Sequence, residues 1–344
     1  MLAVQKTVRG PGVSLVEVPE PASPAPDEVI IEVAAAGICG SDVHIYEWKG
    51  SSYTSLERAM PVTLGHEFAG RVVAVGTEVT SLRPGDRITA VPSIGCGSCD
   101  ACEAGRSNRC AAQQGVGLSR AGCFARYLRL PSRVCLPLPD SVSDELGALV
   151  EPLTIAMNAI LVGQVGEGQR VLIIGAGPIA QGMAVFARAA GAKEVVVAGM
   201  NDSARFAVFR RLRFDRLIDF AHPSAAEQLA LAKADGFDVV LEAAGAPPTI
   251  QQGVENLRHS GVLVVSGIHP GAATFDVTQV VRRSLQIRGA YGAPLQVWRD
   301  VISALGRDPD AFLPIITHRL PFDRALQGFD LACKREASKV LLLF

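Results

Sequence analysis

The sequence predicts an α/β protein with two domains, a mostly β domain followed by a doubly wound parallel-sheet domain. The chain has 344 residues, about twice the roughly 150 residues that one hydrophobic core usually supports. Hydrophobic residues make up 49% of the chain and charged residues 19%, which excludes a largely disordered protein. Near Leu153 the hydrophobic pattern changes from short turn-bounded segments to buried runs separated by helix-length segments. This change marks the boundary between the two domains.

The N-terminal domain, expected over residues 1–152, is predicted from short β-type segments that end in turn residues. These segments are residues 29–33, 70–76 and 83–88. In the second domain, expected over residues 153–290, apolar runs typical of buried parallel strands alternate with helix-length stretches. The clearest runs are residues 171–174, 195–197 and 262–265. This alternation predicts βαβ units and a parallel sheet.

The C-terminal segment, residues 291–344, holds a helix-like stretch near residues 297–305 and a terminal apolar strand at residues 339–343. It is too short for a core of its own. We therefore expect the segment to return to the first domain.

The charge balance and hydropathy exclude several classes of partner. The net charge is −1, with 33 Lys and Arg against 34 Asp and Glu, and no long basic run offers a footprint for a phosphate backbone. No stretch of about 18 apolar residues is free of charge or turn residues, and the first residues lack the apolar core of a signal peptide. We therefore expect no nucleic-acid partner, no membrane association and a cytoplasmic location.

Four of the eight cysteines form one cluster in the sequence. They are separated by two, two and seven intervening residues, at positions Cys96, Cys99, Cys102 and Cys110. Four thiolates in one short loop suit tetrahedral Zn²⁺ in a closed, structural site. An iron–sulfur cluster is the main alternative, but the usual continuation to a fourth Cys followed by Pro is absent. Disulfides are disfavoured in a cytosolic protein.

A second set of chemically capable residues lies outside the cysteine cluster. Cys39 sits in the run Gly-Ile-Cys-Gly-Ser-Asp-Val-His, and the run Gly-His-Glu-Phe-Ala-Gly brings His66 and Glu67 27 residues after Cys39. A further acid, Glu151, precedes a proline at the domain boundary. Each residue alone has an ordinary structural explanation. Their joint occurrence beside a cysteine cluster is much less expected by chance, and it indicates a catalytic constellation.

A glycine-rich turn follows the first apolar run of the second domain. The turn, Gly175-Ala176-Gly177-Pro178-Ile179-Ala180, directly follows residues 171–174 and opens an apparent helix. Gly175 permits the tight turn, Gly177 lets the backbone approach a pyrophosphate, and Ala180 allows close packing of helix on strand. The diphosphate would lie at the helix N-terminus. The sequence therefore predicts a dinucleotide site.

The acid that usually binds the adenosine ribose of NAD is missing after the next strand. The strand ends at Gly199, and Met200, Asn201 and Asp202 follow. Without that charge a 2′-phosphate is no longer repelled, and three arginines, Arg205, Arg210 and Arg211, lie close in sequence. Asp202 turned inward would instead favour NAD. The choice between NAD and NADP stays open at this point.

These motifs, in this order, resemble those of the zinc-dependent medium-chain alcohol and polyol dehydrogenases, and the resemblance covers essentially the whole chain. It implies a GroES-like catalytic domain and a Rossmann domain, and two zinc ions per chain, one catalytic and one structural. It also implies a homodimer or a homotetramer. Val265 and Gly267 would lie at the later strand ends that flank the nicotinamide.

The resemblance also implies roles for the residues of the second set. Cys39, His66 and Glu67 would be ligands of the catalytic zinc, and Glu151 would ligate it directly or through water. Asp42 would fix the ring of His66. The metal would bind the substrate oxygen and stabilise its alkoxide. Ser41 and His44 would carry the alcohol proton away through a ribose of the cofactor.

The expected reaction is oxidation of a secondary alcohol, a polyol or a sugar alcohol, to a ketone. Several segments resemble threonine dehydrogenases, but Ser93 replaces a histidine of those enzymes and residues 154–155 replace a Gly-Asn pair. We interpret Tyr46, Trp48 and Ser93 as pocket residues, with core packing as the alternative for the two aromatics. L-Threonine 3-dehydrogenase is the alternative function. A non-catalytic, zinc-stabilised nucleotide-binding protein is the alternative of another class.

Overall fold

The computed structural model describes residues 1–49, 54–104 and 107–344, and these residues fall into two compact units. The first unit comprises Met1–Glu151, Pro294–Pro309 and Ile316–Phe344, and the second comprises Pro152–Ala293 and Asp310–Ile315. Residues 291–344 were expected to return as a whole to the first domain, but residues 291–293 and 310–315 belong to the second unit. The reason is local packing. The ring of Phe312 lies 5.3 Å from that of Phe186, and the carbonyl of Pro314 accepts a hydrogen bond from Arg211 at 3.2 Å.

The N-terminal part of the first unit consists mainly of short strands, as the turn-bounded pattern predicts. Its strands are β1 (Leu2–Lys6), β2 (Ser14–Glu17), β3 (Glu28–Gly37), β4 (Val62–Thr63), β5 (Glu67–Val75), β6 (Arg87–Ala90), β7 (Ser93–Ile94), β8 (Gln114–Gly115), β9 (Tyr127–Pro131) and β10 (Cys135–Pro137). Its helices are α1 (Gly40–Glu47), α2 (Thr54–Ala59), α3 (Asp100–Glu103) and α4 (Asp144–Gly147). Short 3-10 helices span Ser107–Arg109 and Ser132–Val134.

The second unit alternates strands and helices. Its elements are α5 (Val150–Gly163), β11 (Arg170–Ile174), α6 (Pro178–Ala189), β12 (Glu194–Gly199), α7 (Ser203–Arg211), β13 (Leu217–Asp219), α8 (Ala225–Lys233), β14 (Phe237–Glu242), α9 (Pro248–Asn256), β15 (Leu257–Val265), α10 (Val277–Arg282) and β16 (Gln286–Gly289). The chain then forms α11 (Leu295–Arg307), β17 (Ile316–Pro321), α12 (Ala325–Cys333) and β18 (Lys339–Leu343), with 3-10 helices at Pro309–Ala311, Leu313–Ile315 and Phe322–Arg324.

The main sheet of the first unit has the strand order β10-β6-β5-β3-β18-β17, with β9 also paired to β3. Strand β3 pairs antiparallel with β5, and Gly37 lies opposite Glu67. On its other side β3 pairs antiparallel with the C-terminal strand β18, and Gly37 lies opposite Leu341. Because β18 is central, its apolar residues from Val340 to Leu342 are fully buried. The sheet therefore joins the C-terminal strand to the N-terminal part of the unit.

The second unit is built on a parallel sheet in the order β13-β12-β11-β14-β15-β16. The order reverses direction at β11, with β12 on one side and β14 on the other. In such sheets ligands bind outside the carboxyl ends of the strands at this switch point. The predicted parallel sheet is confirmed. Within the described part of the chain, no helix is both long enough and apolar enough to cross a membrane.

Candidate active site and metal centres

Three side chains of the first unit bring potential metal ligands together. One ligand atom each from Cys39, His66 and Glu67 lies within 4.8 Å of the other two. Cys39 follows β3 and is the N-cap residue of α1. His66 directly precedes the adjacent strand β5, and Glu67 is the first residue of that strand. Pairing of β3 with β5 therefore places residues 27 positions apart in one cluster.

Gly65 shapes the turn that leads into His66. Its φ is +89°, and a Cβ placed there would lie 2.5 Å from the ring of Phe124. Any other residue would be strained in this conformation and would displace a fully buried aromatic side chain. The glycine is therefore needed to present the imidazole at the cluster.

Asp42 links α1 to the imidazole of His66. Its Oδ2 accepts a hydrogen bond from the Cys39 amide at 3.0 Å, and its Oδ1 lies 3.9 Å from His66 Nδ1. Burial raises the pKa of Asp42. Burial disfavours the charged form of His66, but the negative charges of Cys39 and Asp42 outweigh it and raise its pKa well above the ordinary value. The carboxylate thus caps the helix and faces the ring.

Glu67 forms a buried ion pair that the sequence did not predict. Its Oε2 accepts a hydrogen bond from the ammonium of Lys339, whose Nζ also donates to the Ile38 carbonyl at 3.0 Å. The side chains of Lys339 and Glu67 are 2% and 0% exposed. A Cβ at Gly37 would lie 2.3 Å from Glu67 Oε2. The absence of a side chain on β3 therefore lets Glu67 and Lys339 meet across that strand.

The donor set and one unpartnered oxygen fit a zinc ion at this cluster. Glu67 Oε1 is buried and has no hydrogen-bond partner among the described residues. An unpartnered buried carboxylate oxygen is costly unless a ligand satisfies it. Thiolate, imidazole and carboxylate together are ligands that suit Zn²⁺. The residues therefore fit a zinc site with Cys39, His66 and Glu67 around the metal.

Glu151 is a third buried acid of the same surroundings, after Asp42 and Glu67. It stands in the first turn of α5 and is 9% exposed. Burial raises its pKa to about 7, and the charges of Glu67 and Asp42 act in the same direction. It does not belong to the mutually close set of ligand atoms formed by Cys39, His66 and Glu67 among the described residues.

The other predicted residues of the first unit lie on α1 or near the cysteine cluster. Ser41 and His44 are exposed and one helical turn apart on α1. Tyr46 donates its hydroxyl to Asp330 at 3.2 Å, and the ring of Trp48 lies 4.7 Å from the Lys6 ammonium. Both aromatics pack against the hydrophobic core, as the alternative interpretation expected. Ser93 lies in β7, paired with Gly115. Their roles as substrate residues remain predictions.

The four clustered cysteines converge on one point. Their sulfurs lie within 4.8 Å of one another. Cys96 follows β7, Cys99 is the N-cap residue of α3, Cys102 lies inside α3, and Cys110 follows a 3-10 helix.

The hydrogen bonds within this cysteine cluster differ from one thiol to another. The Cys110 sulfur accepts a hydrogen bond from the Cys96 amide at 3.3 Å. Hydrogen bonds from the backbone and hydroxyl of Ser98 lower the pKa of Cys96 to about 6. Such a set of four sulfurs fits a closed tetrahedral zinc site.

The glycine-rich turn of the second unit has the predicted geometry. It connects β11 to α6, with Gly177 as N-cap residue and Pro178 in the first turn. Gly175 has φ +123°, and a Cβ there would lie 2.9 Å from the Ala243 backbone. A Cβ at Gly177 would have no atom within 4 Å, so the turn leaves open space at the N-terminus of α6. Ile179 and the buried Ala180 continue the first turn of the helix.

The strand ends next to this turn carry a buried network around Glu242. Its Oε1 accepts hydrogen bonds from the Gly245 amide at 2.7 Å and the Thr249 hydroxyl at 2.8 Å. Its Oε2 lies 3.2 Å from His269 Nε2. A Cβ at Gly267 would lie 2.3 Å from the Gly245 amide nitrogen. Gly267 and the preceding Val265 therefore lie at the carboxyl edge of the sheet, as predicted.

Sequence reasoning missed Lys339, Glu242 and His269. Lys339 had a signal, because it is a cation at the start of an otherwise apolar terminal run. Its partner is 272 residues away, so no local pattern pairs them. Glu242 ends the apolar strand β14, and its sequence context does not set it apart from other strand ends.

Both halves of the chain match models of one enzyme family. Residues 25–140 match the alcohol dehydrogenase GroES-like domain, and residues 178–307 match the zinc-binding dehydrogenase domain. A relative from Salmonella typhi named L-threonine 3-dehydrogenase is 35% identical over 344 residues, covering 99% of both chains. The fold and the two cysteine-containing sites define a zinc-dependent dehydrogenase. The chain belongs to the zinc-dependent medium-chain alcohol dehydrogenase family.

Solved structures of the family are similar over the whole chain. Galactitol-1-phosphate dehydrogenase from Escherichia coli has a TM-score of 0.88 and 29% identity, covering 100% of both chains. An alcohol dehydrogenase of E. coli CFT073 complexed with NADH has a TM-score of 0.88 and 28% identity, covering 100% of this chain and 99% of its own. A zinc-binding dehydrogenase of Sinorhizobium meliloti 1021 bound to NADP has values of 0.86 and 29%, with the same coverage.

These similarities confirm the predicted fold class, a GroES-like domain with a Rossmann domain, and the predicted enzyme class. The chain is a zinc-dependent oxidoreductase with a nicotinamide dinucleotide cofactor. Family membership favours zinc over an iron–sulfur cluster, and catalysis over a purely nucleotide-binding role. The named relatives act on different alcohols, so the substrate of this chain is a separate question.

Proposed function

We propose that this chain oxidises a secondary alcohol of the polyol or sugar-alcohol class to a ketone. The observation that carries the proposal is the cluster of Cys39, His66 and Glu67, with the unpartnered Glu67 Oε1 buried beside it. A zinc ion bound there would supply a Lewis acid that polarises the alcohol oxygen. Cys39, His66 and Glu67 are the proposed ligands, and Glu151 is a further acid that would ligate the metal directly or through water.

The chain's own residues orient the ligands and provide a route for the alcohol proton. Asp42 faces Nδ1 of His66 and fixes the ring, and Lys339 holds one oxygen of Glu67. Ser41 and His44 lie on the exposed side of α1, where a proton passed from the Ser41 hydroxyl to the imidazole of His44 reaches solvent. An imidazole suits this transfer, because it can accept a proton on one ring nitrogen and release one to water.

The cofactor site is proposed at the carboxyl edge of the parallel sheet. The open space at Gly177 and the N-terminus of α6 suit a diphosphate, because backbone N–H groups and the helix dipole both favour an anion there. Gly175, Pro178, Ile179 and Ala180 form the same turn. Val265 and Gly267 are the proposed neighbours of the nicotinamide.

The pairing of two lysines near Tyr46 and Trp48 favours a polyol over L-threonine as the substrate. The carboxylate of L-threonine needs a positive partner, and these two cations already have partners. Lys6 donates to the carbonyl of Gly12 at 2.7 Å and lies over Trp48. Lys49 is paired with Glu47 at 3.1 Å. Because these cations near Tyr46 and Trp48 already have partners, a neutral, hydroxyl-bearing chain fits Tyr46, Trp48 and Ser93 better. L-Threonine remains the alternative substrate, favoured by the name of the Salmonella relative.

The experiment is a substrate panel on the wild type and two variants. We expect kcat/KM for sorbitol, xylitol or a tetritol to exceed that for L-threonine at fixed cofactor concentration, since specificity is the ratio of these values. Cys39→Ala should lose turnover of every alcohol while retaining NADH binding, whereas Cys333→Ala, which lies outside both cysteine sites, should keep wild-type activity. A tenfold preference for threonine would overturn the polyol proposal, and alcohol oxidation by Cys39→Ala would overturn the site.

We also propose that the chain forms a homodimer or homotetramer and acts in the cytoplasm. Strand β16 ends the parallel sheet, and its Ile287 is 41% exposed. Val277 and Val281 of the neighbouring helix α10 are also exposed. An unpaired edge beside apolar side chains suits pairing with the same strand of a second copy. The location is tested by cell fractionation.

A further inference from the structure

The end of β12 decides which dinucleotide this fold accepts. In doubly wound dinucleotide-binding sheets, an acid at this position binds the ribose hydroxyls of NAD and repels the 2′-phosphate of NADP. Gly199 ends β12 and has no side chain for either task. Structures of the same fold carry NADH in one case and NADP in another, so the fold alone does not decide the cofactor.

The carboxylate of Asp202 borders the space that a side chain at residue 199 would enter. A Cβ built on Gly199 would lie 3.1 Å from Cζ of Phe206, 3.2 Å from the Cβ of Ala176 and 3.3 Å from Asp202 Oδ2. Ala176 belongs to the glycine-rich turn between β11 and α6. Asp202 therefore brings its charge back to the end of β12, beside the turn that would hold the diphosphate.

The backbone between these residues explains how Asp202 reaches back. Asn201 has φ +53°, a left-handed conformation that asparagine tolerates better than most residues. Its amide donates to Asp219 Oδ1 at 3.0 Å, and the Ala221 amide donates to the same oxygen at 3.0 Å. Asp219, at the end of the next strand β13, thus holds the turn that points Asp202 inward.

Asp202 is not used as an ordinary helix cap. It is the N-cap residue of α7, yet among the described residues its carboxylate accepts no hydrogen bond from the first amides of that helix. N-cap aspartates usually accept such a bond. Asp202 is also only 5% exposed, and its ion-pair partner is Arg205 at 3.3 Å. The carboxylate therefore lies near Arg205 and the end of β12 and does not cap α7.

The arginine of this loop does not offer an uncompensated positive charge to a 2′-phosphate. Arg205 Nη1 lies 3.3 Å from Asp202 Oδ1, so its charge is partly balanced by Asp202. Arg211 donates to the Pro314 carbonyl at 3.2 Å. A 2′-phosphate placed at the end of β12 would lie beside the carboxylate of Asp202, with Asp219 at the adjacent strand end, and like charges at close range repel.

We propose that Asp202 replaces the missing acid of β12 and makes this dehydrogenase selective for NAD(H) over NADP(H). The inference rests on the proposed dinucleotide site. It assigns the selectivity to a residue three positions beyond the usual one, on the loop that Asn201 and Asp219 shape.

The test measures the direct binding of NADH and of NADPH in the absence of any alcohol. Binding is monitored by the fluorescence of the nucleotide and by calorimetry. We expect the wild type to bind NADH at least tenfold more tightly than NADPH. Asp202→Asn keeps the shape of the side chain but removes its charge, so it should narrow this ratio at least tenfold. Asp235→Asn is the matched control, because Asp235 is exposed and precedes β14, at the opposite edge of the sheet. It should leave the ratio unchanged.

The possible outcomes separate this inference from the proposed function. Preference of the wild type for NADPH, or an unchanged ratio in Asp202→Asn, would overturn the inference and leave the dehydrogenase proposal intact. Failure of the folded, zinc-loaded protein to bind either nucleotide would overturn both. Folding of each variant is checked by its thermal unfolding. If Asp202→Asn unfolds early, competition between AMP and adenosine 2′,5′-bisphosphate on the wild type decides, and preference for the bisphosphate overturns the inference.

Discussion

The ammonium of Lys339 and the carboxylate of Glu67 are both almost wholly removed from water, at 2% and 0% exposure. Removing two charges from solvent costs several kcal/mol for each ion, and only close pairing with further hydrogen bonds offsets it. Here the Ile38 carbonyl supplies a further acceptor for the ammonium. The pair therefore positions Glu67, since it fixes one carboxylate oxygen and, among the described residues, leaves the other without a hydrogen-bond partner.

Replacing Lys339 tests this role. Lys339→Met keeps an apolar stem of similar length but leaves the Glu67 charge buried and unpaired. We expect the free energy of unfolding of the metal-free protein to fall by about 3 to 5 kcal/mol, measured by urea denaturation. Lys334→Met, at an exposed position just after α12, is the control and should change stability by less than about 0.5 kcal/mol.

A double variant separates the charge effect from the loss of packing. Lys339→Met combined with Glu67→Gln leaves no uncompensated charge, so at least half of the lost stability should return. If Lys339→Met alone is as stable as the wild type, the ion pair does not hold the site together. If the double variant is no better than the single one, packing of the lysine stem is the larger contribution.

At the scale of elements, the cysteine cluster is a loop with little regular structure to hold it. The four-residue helix α3 and a 3-10 helix are its helical parts among the described residues, and such short helices are marginal alone. The loop is crowded around the proposed metal position, since a Cβ at Gly95 would lie 2.6 Å from the Cys102 sulfur. A closed zinc site would supply the constraint that the missing secondary structure does not.

Cys102→Ser tests the cluster as a structural zinc site. We expect the wild type to contain about two zinc ions per chain and the variant about one, because the three remaining thiolates no longer hold the metal in the cysteine cluster. The loop should also become accessible to limited proteolysis. Metal content is measured by mass spectrometry on protein purified without oxygen, with Cys333→Ser as the control. Iron accompanied by visible absorbance would contradict this prediction.

Local sequence patterns predicted strands, turns and helices better than they predicted contacts between residues far apart in the chain. The glycine-rich turn was found because a strand, a turn and a helix follow one another without interruption, and Gly175 and Gly177 have local reasons to be glycine. Short motifs of the same kind predicted Cys39 and His66, which are the proposed zinc ligands. Lys339 was missed because its contact with Glu67 depends on β18 pairing with β3, which only the folded sheet provides.

The turn after β12 shows the same limit in another form. The sequence alone does not show whether the side chain of Asp202 turns toward the end of β12 or away from it. The choice between NAD and NADP therefore stays open at the level of the sequence. The orientation depends on Asp219, at the end of a different strand, which accepts the Asn201 amide. A side chain aimed by a neighbouring strand is decided by packing, which periodicity and motif spacing do not report.

At the scale of the whole molecule, the parallel sheet has two unequal edges. Strand β13 has three residues and β16 has four, and the exposed apolar residues Ile287, Val277 and Val281 lie on β16 and α10. Natural proteins rarely leave an apolar edge strand uncovered, because its unpaired N–H and C=O groups recruit other strands. If a second copy of the chain presented its own strand β16 about a two-fold axis, the β16 edges of the two copies would pair with each other.

Ile287→Lys tests this assembly. We expect the wild type to sediment as a dimer or tetramer, and the variant to be at least half dissociated at micromolar concentration, because each interface would bury two uncompensated ammonium groups near the two-fold axis. The control is Leu231→Lys, since Leu231 is 77% exposed on α8 and should leave the mass unchanged. Sedimentation velocity gives the mass, and NADH binding by the dissociated variant shows that the second unit is still folded. A wild-type monomer, or an Ile287→Lys protein of unchanged mass, would place the interface elsewhere or remove it.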